Sequence, residues 1–214
     1  MRLLSKDKLL VTGPVDKAAW NYSLALSWLQ RARFRLALDL LGPAPVDTLL
    51  EVGYGSGIFM PELKTRCHEL VGVDVHTRAD EVAAQLRCEG VPARLFVSSA
   101  ESLPLPSASV DAIVTISCLE YVPDKTAASR ELARVLRPGG RLIVIHPQAN
   151  PLLDLALRIL TGEAASQYGD GREKLGARLA ADFHCLRTAY FPPLVPRSVA
   201  VYEGLLLGRR IDCR

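Results

Sequence analysis

The sequence predicts an α/β fold, a doubly wound and mostly parallel sheet of seven strands preceded by an N-terminal helix. Three observations carry this. Short apolar runs alternate with helical patterns from residue 46 onward, the rhythm of a parallel sheet with helices on both faces. The strand cores, LLEV at 49–52, AIVTI at 112–116 and LIVI at 142–145, are apolar runs rather than alternating ones, as strands buried on both sides require. A glycine turn, Gly53-Tyr54-Gly55-Ser56-Gly57, joins the first run to the helix after it.

Taken in order, residues 1–16 read as a loose lead-in. Ala18–Leu41 has helical periodicity: Trp20, Leu24 and Trp28 recur at i, i+4 and i+8, and Phe34, Leu38 and Leu41 extend the apolar face. Arg31, Arg33 and Arg35 ride beside that face and read as its solvated flank. Gly42-Pro43 stops the helix. Thr48–Val52 is the first strand, and Ile58–Arg66 a helix with Pro61 in its first turn, where a missing N–H costs little. Leu70–Val75 is the second strand. Thr77 is placed to cap a helix to Cys88 that Gly90 ends. Ala93–Val97 and Val110–Ile116 are the third and fourth strands. Asp124 caps a helix through Leu136, Pro138-Gly139-Gly140 turns the chain, and Arg141–Ile145 is the fifth strand. Pro151–Leu160 reads as a short apolar helix, 161–171 as a polar loop and Glu173–Phe183 as a helix. Cys185–Phe191 and Glu203–Gly208 are the last two strands, joined through a proline-rich stretch.

The bulk properties narrow the class. With 214 residues, 49% hydrophobic and 23% charged, the chain can bury an ordered core. A net charge of +3 with no clustered basic stripe argues against a nucleic-acid partner. Five cysteines, odd in number, widely spaced and without a CxxC pair, suggest neither a disulfide framework nor a metal site. Free thiols suit a reducing cytosol, so a cytoplasmic location is expected. The N-terminal stretch shows no signal-peptide pattern, and no apolar run is long enough to span a bilayer.

The glycine turn is where chemistry is expected. Ligands of open α/β sheets bind at the carboxyl ends of the strands near the topological switch. Glycines there let the backbone approach a ligand, and the helix N-terminus faces an anion. The dinucleotide pattern G-x-G-x-x-G fails in both registers, because Ile58 and Met60 stand where the third glycine is needed. A nicotinamide or flavin cofactor is therefore disfavoured, and no P-loop Lys follows. Asp74, ending the second strand, is placed to accept both hydroxyls of a ribose, which supports a nucleoside without choosing one.

Five segments fall in order along the chain: Glu51–Gly57, Val71–Asp74, Ser98–Pro106, Ser109–Asp111 and Arg134–Gly140. Together they resemble the small class I S-adenosylmethionine-dependent methyltransferases of the UbiE (ubiquinone-type) group, over about Leu49–His146. The resemblance implies the Rossmann-like methyltransferase fold, seven-stranded with a final antiparallel strand. It implies one domain over 1–214: a helical lead-in and lid at 1–45, a cofactor-binding half at 46–146, and substrate-side helices with the last two strands at 147–214. It implies that Gly53, Gly55 and Gly57 lie under the methionine part of S-adenosylmethionine, with Glu51 near its ammonium and Asp74 on the ribose. Ser99 and the Ala100 N–H would meet adenine, and Ser117 would line the floor. Tyr22 and Tyr54 would close over the cofactor, an aromatic face being favourable near a sulfonium. S-adenosylhomocysteine would be the product. At Ser99 the family usually carries an acidic residue. A neutral hydroxyl acceptor is worth roughly half a charge-assisted one, unless Glu101 reaches in.

Methyl transfer needs in-line positioning, and a base only if the nucleophile starts protonated. His146, at the end of the fifth strand, is a candidate base, with a capping histidine as the alternative. Glu120 and Tyr121, after the fourth strand, are candidates whose alternative is helix-start packing. His184 and Cys118 read as core residues. The expected partner is a small, partly apolar organic acceptor methylated on oxygen, nitrogen or carbon. Two other readings stay open: a lipid or quinone methyltransferase in peripheral contact with a membrane, from the Trp-rich basic first helix and Leu152–Leu160, and a non-catalytic adenosylmethionine-binding module, from Ser99.

Overall fold

The computed structural model describes residues 1–13, 16–24, 26–148 and 175–210. The strands are β1 (Val46–Val52), β2 (Cys67–Asp74), β3 (Arg94–Val97), β4 (Val110–Ile116), β5 (Leu136–Pro147), β6 (Phe183–Phe191) and β7 (Tyr202–Arg209). They form one sheet in the order β3-β2-β1-β4-β5-β7-β6. β1 to β5 pair in parallel, and β7 lies antiparallel between β5 and β6. The expected doubly wound sheet with a final antiparallel strand is therefore the observed one. The helices are α1 (Ser27–Leu41), α2 (Met60–Leu63), α3 (Ala79–Cys88), α4 (Lys125–Val135) and α5 (Leu175–Leu179). Buried residues form two cores. One includes Leu40, Leu49, Phe59, Val114 and Ile145, and the other includes Leu50, Val71, Ile113, Leu132 and Val144. Neighbouring strand residues alternate between them, which is why the strand cores read as unbroken apolar runs.

Several elements differ from expectation. The first helix is broken: a 3-10 turn at Ala18–Tyr22 ends at extended Ser23, and α1 starts at Ser27. Asn21 Nδ2 donates to the Ala18 carbonyl at 3.0 Å, a local side-chain bond that competes with helix continuation. Leu24 and Trp28 are accordingly exposed (103% and 58%) rather than part of an apolar face. The lead-in is not loose. Leu4 is fully buried and its N–H donates to the Ile58 carbonyl at 3.0 Å, while the Arg78 guanidinium donates to the Val11 carbonyl at 2.8 Å. The helix expected at Ile58–Arg66 is the single turn of α2 followed by a 3-10 turn at Lys64–Arg66. Arg78, not Thr77, occupies the N-cap of α3 and makes no side-chain cap; Asp80 and Glu81 supply the negative first turn instead. Asp124 does cap α4, accepting from the Thr126 and Ala127 N–H groups at 2.9 and 3.0 Å. Pro138–Gly140 form an irregularity inside β5 rather than a turn before it. His184 lies exposed on β6, one of the two edge strands of the sheet among the described residues. The expected helix at Pro151–Leu160 and the loop at 161–171 lie outside the described residues.

Candidate functional site

β1 sits where the strand order reverses, with β2 on one side and β4 on the other, so a crevice opens at the carboxyl end of β1. The glycine turn leaves β1 there. Gly53, Gly55 and Gly57 all have positive φ, of 80°, 51° and 72°. A Cβ on Gly53 would lie 2.4 Å from Cys118 Sγ, so Cys118, expected in a core, packs directly beneath the turn. The Gly53 N–H donates to the Val73 carbonyl and the Gly55 N–H to Asp74 Oδ2, both at 2.8 Å. Asp74 Oδ1 accepts from the Val75 and His76 N–H groups at 2.7 and 3.3 Å. One carboxylate thus ties the turn to the end of β2, where the sequence placed the ribose acceptor.

His76, missed in the sequence, braces the same turn. Its Nδ1 accepts from the Arg78 N–H at 3.1 Å and its Nε2 faces the Gly55 carbonyl at 2.9 Å. A backbone N–H can only donate, so Nε2 carries the proton. Tyr54 packs edge-on against His76 with ring centroids 5.0 Å apart. It is 3% exposed and lies against Gly72, where a Cβ would sit 2.8 Å from the Tyr54 ring. Burial, and next the Asp74 charge, push its phenol above the usual range. Tyr22 is likewise engaged, its hydroxyl donating to the Leu4 carbonyl.

Glu51 is buried on β1, and its Oε2 has no hydrogen-bond partner. Burial first, and then the Asp74 charge, raise its carboxyl well above the usual range, against the opposing charge of Arg33. Arg33 is therefore not on a solvated flank. It lies on the stripe Gln30, Arg33, Ala37, Leu40 of α1, three of whose four members are buried, and its Nε is itself buried and unpartnered. Its position between Gln30 and Ala37 at helical spacing was the available signal.

Just past β3, Ser99 Oγ donates to Glu101 Oε2 at 3.0 Å and accepts from the Glu101 N–H at 3.2 Å. Glu101 thus stands beside the hydroxyl that replaces the usual acid, and Ala100 next to it is buried. Ser117 follows β4 directly with φ of 51°, its N–H donating to the Ile145 carbonyl at 2.8 Å. Glu120 is buried in a 3-10 turn over Leu119–Tyr121.

His146 is 3% exposed. Its Nε2 lies 3.3 Å from Glu203 Oε2, directly across from it on β7, and its Nδ1 faces the Pro147 carbonyl at 3.2 Å. Glu203 also accepts from Gln148 Nε2 at 2.6 Å and the Tyr190 hydroxyl at 3.1 Å, and lies 3.7 Å from the exposed Arg197 guanidinium. Sequence reading missed this partnership, because strand pairing across the segment after β5 has no local signal. Burial pushes the Glu203 carboxyl up, but His146, Arg197 and Tyr190 outweigh it and hold it below the usual value. A lowered carboxylate stabilises the fold above its unfolded pKa, about 4.3, and that contribution is lost as pH falls through the folded value. Glu203→Gln is therefore expected to cost about 1–3 kcal/mol at pH 7. The penalty should shrink below about pH 4; urea unfolding at both pH values checks this, and an equal loss at each would contradict it.

Comparison with known proteins agrees with this architecture. Residues 50–144 match a family model described as a methyltransferase domain. The chain is 35% identical over 151 residues to the biotin biosynthesis bifunctional protein BioHC of Cellvibrio japonicus, covering 70% of this chain and 29% of that one. It is 33% identical over 138 residues to the demethylmenaquinone methyltransferase of Tropheryma whipplei, covering 63% and 57%. The chain thus spans less than two thirds of these relatives' lengths. The fold matches the geranyl diphosphate C-methyltransferase of Streptomyces coelicolor A3(2) with a TM-score of 0.65 at 19% identity, covering 99% and 90%. Residues 50–144 thus resemble the methyltransferase domain of class I S-adenosylmethionine-dependent enzymes, and the relatives matched include members of the UbiE-type group.

Proposed function

We propose that this chain is a single-domain cytoplasmic enzyme that transfers a methyl group from S-adenosylmethionine to a small, partly apolar organic acceptor. The observation that carries the reading is the constellation at the carboxyl end of β1: three positive-φ glycines, Asp74 bound to the turn they form, and the buried Glu51, whose Oε2 has no partner. A buried unpaired acceptor is costly, and an ammonium group satisfies it. The residues present therefore fit the cofactor. Glu51 would hold its ammonium, the glycine turn would run under its methionine part, Asp74 would take the ribose, and Ser99 with Ala100 would meet adenine. Bound there, S-adenosylmethionine supplies an electrophilic methyl on a cationic sulfur.

The acceptor side would be built at the same carboxyl end of the sheet by Glu120, Tyr121 and His146, with Ser117 lining the floor and Tyr22 and Tyr54 closing over the cofactor. Both His146 ring nitrogens face protein oxygens, so its part as a base requires the imidazole to exchange one of these partners for the acceptor. The relatives named for demethylmenaquinone and geranyl diphosphate support an apolar acceptor. Calorimetry tests the reading: S-adenosylhomocysteine is expected to bind at micromolar concentration and NADH not at all. Binding of neither would remove it. Cofactor binding without turnover of any phenol, amine or activated carbon would favour the non-catalytic module.

One observation favours the membrane-surface version. Val11, Leu24, Trp28, Leu194 and Val199 are all more than half exposed. No helix among the described residues is long and apolar enough to cross a membrane, so such contact would be peripheral. Liposome co-sedimentation decides it, and protein left wholly in the supernatant would end that version.

A further inference from the structure

We propose that Glu203 is the positioning residue of the acceptor side, orienting His146 so that its Nδ1 takes the proton of a phenol-type hydroxyl as that oxygen is methylated. This rests on the methyl-transfer reading above and names the acceptor chemistry that it left open.

The geometry is a row across three strands. His146 on β5, Glu203 on β7 and Tyr190 on β6 stand directly opposite one another, so their side chains leave the sheet on one face. Glu203 is the middle member. A buried carboxylate is costly unless it is paired and hydrogen-bonded. Here the Gln148 amide and the Tyr190 hydroxyl donate to it, His146 Nε2 lies 3.3 Å away, and the Arg197 guanidinium stands at 3.7 Å. Gln148 and Tyr190 thus fix the carboxylate independently of His146. The row also lies beside the end of β4, because the Ser117 N–H donates to the Ile145 carbonyl. Ser117 takes a φ of 51° although it carries a Cβ, backbone strain of the kind that clusters at active sites.

The protons give His146 a direction. A carboxylate only accepts, so Nε2 carries a proton toward Glu203. In the neutral ring Nδ1 is then a lone pair, and it faces the Pro147 carbonyl at 3.2 Å, which has no proton to give. Pro147 is therefore the partner that an acceptor hydroxyl would displace, and Glu203 the one that stays. The acceptor oxygen bonds to the methyl carbon while the carbon–sulfur bond leaves its electron pair on sulfur. The hydroxyl proton passes to Nδ1. The products are the methyl ether, S-adenosylhomocysteine and an imidazolium, with one positive charge before and after. Glu203 balances that imidazolium, and the Pro147 oxygen can accept from its new N–H once the ether leaves. A nucleophile with no proton to lose would gain nothing from such a base.

Two probes separate a proton-taking row from a merely structural one. Phenol, like the tyrosine side chain, stays protonated at about pH 8, whereas 4-nitrophenol is largely ionised there. With S-adenosylmethionine as donor, Glu203→Gln is expected to lower kcat for phenol about 10- to 100-fold and for 4-nitrophenol less than about threefold, with S-adenosylhomocysteine affinity unchanged. The amide oxygen can still accept from Nε2 but no longer balances the imidazolium. Glu203→Asp, which keeps the charge on a shorter stem, should recover part of the loss. His146→Asn should show the same selectivity with a larger loss. Adding Glu203→Gln to it should cost nothing more, since the carboxylate acts through the ring. Should the Gln variant unfold, Tyr190→Phe loosens Glu203 by one hydrogen bond and is expected to give a smaller loss, again confined to phenol. Equal losses on both probes, or losses that add in the double variant, would make the row structural and overturn the proposal. So would binding of S-adenosylhomocysteine with no methylation of either phenol. Failure of the unaltered protein to bind S-adenosylhomocysteine would instead bring down the methyl-transfer reading beneath it.

Discussion

Asp74→Ala is expected to weaken S-adenosylhomocysteine binding by about two orders of magnitude or more. Two carboxylate–hydroxyl bonds to a ribose, at roughly 1.5–3 kcal/mol each for charged acceptors, account for that much. The substitution also removes three acceptor contacts, from the N–H groups of Gly55, Val75 and His76, so the glycine turn loses its tie to β2. Asp74→Asn should rescue little. Both carboxylate oxygens already accept from backbone donors, and an amide nitrogen would have to face one of those N–H groups. Calorimetric titration of the unaltered protein and both variants checks this. Retention of affinity within about threefold, less than 1 kcal/mol, would show that Asp74 serves the loop alone.

Gly53→Ala is expected to destabilise the protein by about 3 kcal/mol and to abolish cofactor binding with it. Two costs add. The left-handed conformation at φ 80° costs a residue with a Cβ about 1–2 kcal/mol. The new methyl would stand 2.4 Å from Cys118 Sγ and 2.6 Å from its Cβ, overpacking worth about 1–3 kcal/mol. The backbone has no easy retreat, because the Gly53 N–H is bonded to the Val73 carbonyl. Pairing it with Cys118→Gly should recover the steric share and leave the conformational one, whereas Cys118→Ala keeps the 2.6 Å clash. Gly176→Ala on α5, where a Cβ meets nothing within 4 Å, is the control that should leave the melting temperature unchanged or raise it. Thermal unfolding of the set measures the partition.

The sheet was legible because its evidence is local. β1, β4 and the end of β5 announce themselves as apolar runs, and Gly53–Gly57 with Asp74 mark the strand ends where a ligand belongs. Asp124 was readable as a cap because a cap is made within three residues. What escaped reading depends on contacts far apart in the chain. Leu4 is anchored by Ile58, and Glu203 finds His146 only once β7 slots beside β5. Arg33 looked solvated beside Arg31 and Arg35, yet helical spacing alone puts it on the stripe of Gln30 and Ala37. The break at Ser23 was hidden by the regular recurrence of Trp20, Leu24 and Trp28, whose period is helical although the segment is not.

The place of β7 bears on how the chain is made. Synthesis delivers the N-terminal residues first, so β1 to β5 can pair and enclose the glycine turn while the rest is still on the ribosome. β6 then emerges before its partner, since among the described residues it pairs with β7 alone, which follows it in the chain. Until β7 inserts, β5 presents an open edge of the kind that recruits foreign strands, and His146 stands without Glu203. His146 and Glu203 thus meet only once β7 inserts, and a chain stalled or clipped before β7 would keep β5 as an open, aggregation-prone border.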